Sequence, residues 1–290
     1  GNSKIPGSSL LAHTENFSHI VTRDAKNNRY SLVDTTNTST TNLTPSLLSI
    51  IGTRALSDVT FAADGEDSTN IAVVFPKSIY LLDPRTSELK LVWSSQIKEI
   101  YALTLSRLRL AWASAGSNNV SSTIYIYDRI SRTLNAMPDI LEGKIIKMAW
   151  HNENILGVLR ENGDLSTYNA DSKKINPFAS DVRDFVLSND RSHIATLESQ
   201  SIEVFSLKNE EEYWRFNMPD ADKINKIGWH KDNRHLFIHY PDRVAFLDLE
   251  DSSKNHFVTI RETHKAKYEP SLNRLYFLDG DRLLHLDFPN

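Results

Sequence analysis

Lys147, Lys226 and Lys265 occupy the same place in three repeated segments, three residues before a short turn motif, and Asp184 holds that place in a fourth. From the second repeat onward the position carries Asp58, Ala102, Lys147, Asp184, Lys226 and Lys265 in turn. Lys144, Arg183 and Lys223 add charge just upstream. Ammonium groups arranged in this way can hold an anionic group or an acidic peptide of a partner. The alternative is structural, a ring of ion pairs between neighbouring repeats. The partner-binding set expected from the sequence is Lys144, Lys147, Asp184, Lys223, Lys226 and Lys265.

Other chemistry-bearing residues point elsewhere. Trp150-His151 and Trp229-His230 open near-identical turns, and large indoles at a repeated position suit core packing better than ligand stacking. Each histidine precedes an acid by two residues, Glu153 or Asp232, which predicts a hydrogen bond tying the turn. His235 and His239 share one face of a strand but stand about 13 Å apart, four rises of ~3.3 Å, too far for one ion. There is no G-x-S-x-G elbow, no H-E-x-x-H pair and no phosphate-cradling glycine loop. The expectation is a non-enzymatic chain with no catalytic residue, no metal and no cofactor. A hydrolase or lyase using the scaffold is the competing reading, and it would need acid–base groups converging on the inner strands.

Two marks in the chain say what positions these residues. The first is a turn motif, clearest in Trp150-His151-Asn152-Glu153-Asn154 and Trp229-His230-Lys231-Asp232-Asn233, with weaker copies at Ala12-His13, Phe61, Leu105-Ser106, Leu187-Ser188 and Tyr268-Glu269. The second is a β-rich run ending in a polar turn residue, at Asp34, Asp83, Asp128, Asn169, Ser206, Asp248 and Asp287. Successive second marks lie 49, 45, 41, 37, 42 and 39 residues apart, a period typical of four-stranded propeller blades. Apolar strands follow each first mark, and Asn162-Gly163 and Asp279-Gly280 are strong hairpin signals. The sequence therefore predicts an all-β, seven-bladed β-propeller of four-stranded antiparallel blades over residues 1–290. Its repeats run over roughly 8–53, 54–96, 97–141, 142–179, 180–220, 221–260 and 261–290. Residues 1–7 would supply the outer strand of the last blade, and Leu47–Ile51 is expected to pack as the outer strand of the first.

Bulk composition narrows the partner. Net charge is −4 with pI near 6.2, so no global basic field favours nucleic acid. The chain has no cysteine, which removes disulfides and thiolate chemistry and suits a bacterial exterior or the cytoplasm alike. No apolar run reaches the ~18 residues of a membrane helix. The opening Gly1-Asn2-Ser3 has the look of a trimmed end, compatible with an anchor or fused domain upstream.

The first mark resembles the Trp-Ser-x-Asp-Gly motif of TolB-like propellers, relatives of WD-repeat propellers, best at Trp229–Asn233 and Phe61–Gly65. Ile227–Val244 is similar to one blade of the propellers that follow PEGA domains in bacterial surface proteins. The resemblance implies a protein- or peptide-binding role at a bacterial envelope rather than a fixed chemistry.

Overall fold

A computed structural model describes residues 8–14, 18–24, 26–51, 56–63, 70–96, 99–115, 121–209, 212–218, 220–250, 257–263, 266–269, 272–279 and 282–288. The fold is an all-β propeller of seven antiparallel blades, each a meander in which consecutive strands pair. Six sheets have four strands; the seventh has three among the described residues, Ala266–Glu269, Arg274–Asp279 and Arg282–Asp287. The expected contribution of residues 1–7 to that blade lies outside the described residues. The chain divides into two compact units, Gly1–Asn154 and Ile155–Asn290, treated separately below.

The second strand of each blade explains the apolar runs. Ile71–Phe75 is buried at every residue, and Arg109–Ala115, His193–Glu198 and His235–His239 are buried at nearly every one. Such strands are covered on both faces, so they lack the polar alternation of a half-exposed strand. Outer strands such as Leu89–Ser94 and Phe257–Glu262 face solvent and carry mixed side chains. Between blades the core is aliphatic and aromatic: Phe216, Ile224, Ile227, Trp229 and Leu236 in the second unit, Leu110, Trp112 and Ile79 in the first. Both tryptophans of the first mark, Trp150 and Trp229, are buried, and the Trp229 indole donates to the Val186 carbonyl at 3.1 Å.

The second mark has a common physical cause. The side-chain oxygen of Asp34, Asp83, Asp128, Asn169 and Asp248 accepts the backbone N–H two residues on, at 2.8–3.0 Å. These are Asx turns, and the Ser206 hydroxyl makes the weaker serine version to Lys208 at 3.3 Å. A short oxygen-bearing side chain is therefore needed where the third strand of a blade turns into the fourth. Thr36, followed by Asn37, strengthens the first of these turns, and its hydroxyl holds the Asp34 carboxyl below the usual carboxylate range.

The Asn162-Gly163 hairpin forms as expected, joining Ile155–Arg160 to Leu165–Asn169. Gly163 sits at φ +87, and a Cβ there would lie 3.3 Å from the Asp181 backbone. Its carbonyl accepts from Val182 at 2.9 Å, at the start of the next blade's inner strand. Both its conformation and this close approach call for glycine.

One expectation is corrected. Leu47–Ile51 is not a strand; Thr44–Ile51 is an α-helix, and the outer strand of the first blade is only Thr40–Asn42. Asn42 caps the helix by accepting from the Thr44 N–H at 3.1 Å, and Pro45 suits the first helical turn. Leu43 and Leu47, four apart, are fully buried, whereas Leu48 is exposed. Ile50 packs against the same cluster, and the spacing i, i+4, i+7 of Leu43, Leu47 and Ile50 lies along one helix face, whereas a strand would turn Ile50 to the opposite face.

Candidate functional site

The described residues singled out by charge lie on or just before the innermost strands. In the first unit these are Ser8–His13, Thr60–Ala63, Ile100–Leu105 and Ile145–Trp150; in the second, Val182–Leu187, Lys226–Trp229 and Ala266–Glu269. Burial alternates along them. In Ile145–Trp150, Ile145 is buried, Ile146 exposed, Lys147 half-buried and Met148 buried. Val182–Leu187 repeats the order with Val182 buried, Arg183 exposed, Asp184 half-buried and Phe185 buried. The expected charged row is thus uneven: Lys147 and Asp184 are half-buried, Ala102 is buried, and Asp58 and Lys226 are exposed, while Tyr101, Ile146 and Arg183, one residue earlier, are exposed.

That earlier position carries the surface in the first unit. Ile100–Leu105 and Ile145–Trp150 lie side by side. Tyr101 is 37% exposed and Ile146 46% exposed, and the Lys144 ammonium sits 4.7 Å from the centre of the Tyr101 ring. A cation over an aromatic face holds the ring and the charge in one fixed orientation. Lys147 projects from the same strand as Ile146. Tyr101 and Ile146 were not among the residues expected to bind. Their signal in the sequence was a large apolar side chain next to a buried one, at a strand start where polar residues are the norm.

In the second unit the charges are used differently. The Arg183 guanidinium donates to the Ala221 carbonyl at 3.0 Å and to the Ile224 carbonyl, clasping the 3-10 turn Ala221–Lys223. Lys223 pairs with Asp220 at 3.0 Å; both are well exposed, so solvent screens the pair. Asp184 accepts the Phe185 N–H at 2.9 Å. Lys226 is exposed and stands in register with His239 on the next strand. Burial, helped by the Lys226 charge, pushes the His239 imidazole down to about 4, so the ring is neutral. Lys265 lies outside the described residues. The six expected residues therefore divide: Lys144 and Lys147 belong to the first unit, Asp184, Lys223 and Lys226 to the second.

A cleft of about 560 Å³ opens in the second unit beside Ser199, Gln200, Asn217, Asp220 and Asp222. Nearby, Glu198 and Glu203 project from paired strands, and Arg215 reaches Glu203 at 3.2 Å. Burial and the neighbouring Glu203 charge push the Glu198 carboxyl above its usual range.

The first-mark turns join successive blades. Glu153 accepts from the Ser106 hydroxyl and the Leu108 N–H of the preceding blade, at 2.7 and 3.1 Å. The Asn189 side chain donates to the His230 carbonyl at 2.9 Å, and its backbone N–H donates to Asn233 at 2.8 Å. His230 Nδ1 comes within 2.9 Å of the Asp232 carboxylate in the sixth-blade turn.

No protein-family model and no curated protein sequence matches the chain. Among solved structures it is similar to a chain in "Crystal Structure of Mitotic Checkpoint Complex", with TM-score 0.58, 12% identity, and coverage of 76% of this chain and 71% of that one. It is also similar to "Oligogalacturonate lyase in complex with manganese", with TM-score 0.63, 10% identity, and coverage of 93% and 86%. At such identities the likeness establishes the propeller fold alone.

Proposed function

We propose that the chain is a non-enzymatic interaction scaffold that binds an acidic protein or peptide through the inner-strand surface of the first unit. The observation carrying this reading is the Lys144 ammonium over the exposed Tyr101 ring, with Ile146 beside them. An aromatic and an aliphatic anchor rimmed by Lys144 and Lys147 has the make-up of a small binding hot spot with a charged border. Lys226 offers a further exposed charge in the second unit. The likeness to a chain of a checkpoint complex is compatible with protein partners. The test is affinity capture from source-cell extract with the wild-type chain and a Tyr101→Ala/Lys144→Glu/Ile146→Asp variant of unchanged circular dichroism. A partner held by the first and lost by the second supports the reading; equal retention sinks it.

A second reading, a hydrolase or lyase, draws on the Glu198–Glu203 carboxyl pair. A carboxyl held above its usual range, as Glu198 is, can act as a general acid beside a second carboxyl. It predicts turnover of an ester, peptide or oligosaccharide that disappears in Glu198→Gln, and absence of such turnover across those substrate classes would dismiss it.

A further inference from the structure

The sixth-blade turn gathers three ligand atoms at one point. His230 Nδ1 lies 2.9 Å and His235 Nδ1 2.7 Å from the same oxygen of Asp232, and all three ligand atoms fall within 4.8 Å of one another. His235 with His239 was too far apart for an ion; the ring that meets His235 is instead His230, brought round by a turn in which Asn233 adopts φ 58.

The proton on His230 is fixed by its far side. The Asn273 amide donates to the Phe288 carbonyl at 2.9 Å, which leaves its oxygen facing His230 Nε2 at 3.0 Å and the Tyr268 hydroxyl at 2.7 Å. That oxygen can only accept, so Nε2 carries the proton. Nδ1 then bears the lone pair, and the Asp232 N–H points to it at 3.5 Å. That lone pair and the Asp232 carboxylate oxygen face one another at 2.9 Å, with His235 Nδ1 at 2.7 Å from the same oxygen, so all three converge where a cation would sit.

We propose that His230, Asp232 and His235 bind a divalent first-row transition ion of the zinc class. Two imidazoles and a carboxylate are its preferred donors, and three protein ligands leave one position for water. Bonds of ~2.0 Å at a tetrahedral angle need donors about 3.3 Å apart, so the two Asp232 contacts lengthen by roughly half an ångström while the two imidazole nitrogens draw together from within 4.8 Å. Asp232 and His235 are partly exposed and can supply this movement, while His230 is held rigidly at 5% exposure. The outer contacts fit as well. Each imidazole turns Nδ1 inward and Nε2 outward, His230 to Asn273 and His235 toward Asp248 at 3.8 Å, the support that ligating histidines receive. Asn273 and Tyr268 belong to the seventh blade, so the ion fastens the sixth-blade turn against it.

Calorimetric titration of zinc chloride into the intact chain at neutral pH tests this. One saturable equivalent is expected, with a higher melting temperature that chelator reverses, and cobalt(II) in its place should give visible d–d absorption. Asp232→Asn and His235→Ala should each weaken binding by about tenfold or more, whereas His285→Ala, whose ring meets Tyr276 and Asp287 instead, should leave it intact. The two ligand variants alter partly exposed side chains, and circular dichroism checks that they fold. Absence of a saturable equivalent, or equal binding by the folded ligand variants, overturns the site.

Discussion

The Glu153 carboxylate accepts the Ser106 hydroxyl at 2.7 Å, across 47 residues of chain, fastening the first-mark turn of the fourth blade to that of the third. The same oxygen takes the Leu108 N–H, so one side chain satisfies two donors of a neighbouring turn. Removing it leaves both in a partly covered site. Glu153→Ala should cost about 1–3 kcal/mol, read as a lower urea midpoint. A loss no larger than that of an exposed control such as Glu161→Ala would mean the contact contributes nothing.

His239 makes stability pH-dependent. Its folded-state affinity for a proton is depressed, from 6.5 to about 4, by burial and by Lys226. The unfolded chain takes up a proton that the folded chain refuses. The contribution of the neutral ring is therefore complete above about pH 6.5 and is lost as the pH falls through about 4. The loss should be on the order of 2–3 kcal/mol, and His239→Gln should flatten the melting profile across that window. Lys226→Glu should raise the imidazole titration seen by NMR; an unmoved titration would contradict the assigned role of the lysine.

Gly163→Ala tests backbone rather than side-chain chemistry. A left-handed φ and a Cβ crowded against Asp181 act together, so a loss of about 1 kcal/mol or more is expected. Thermal melts that match wild type would show that this turn relaxes freely.

Leu47→Ala should lower stability by about 2–5 kcal/mol, whereas Leu48→Ala, one residue along the same helix, should change it by less than about 0.5 kcal/mol. Leu47 is fully buried and Leu48 exposed, so equal effects would contradict this placement of the helix.

The repeat was legible because its two marks are local. An Asx turn needs only its own oxygen and the next two residues, so Asp83 or Asp128 announces it in the sequence. The helix Thr44–Ile51 was missed because its run of leucines and isoleucines satisfies a strand by composition, and only Ile50, three residues from Leu47 and seven from Leu43 on the same packed face, separates the two. Exposure could not be read from the repeat: alignment selected Lys147 and Asp184, which are half-buried, yet which neighbour faces outward depends on how each inner strand is seated. The His230–Asp232–His235 group was hidden because nothing in the spacing of its histidines shows that the turn folds both rings onto one carboxylate oxygen.

The ties between blades also bear on how such a chain can change over generations. Glu153 serves Ser106, and Asn189 serves the turn of His230 and Asn233, so donor and acceptor of each tie are encoded in different repeats. A repeat copied or exchanged alone would arrive with half of each bond. Its unmatched half would then disfavour the hybrid until the adjacent repeat acquired the complement, so inheritance acts on pairs of neighbouring repeats rather than on single cassettes.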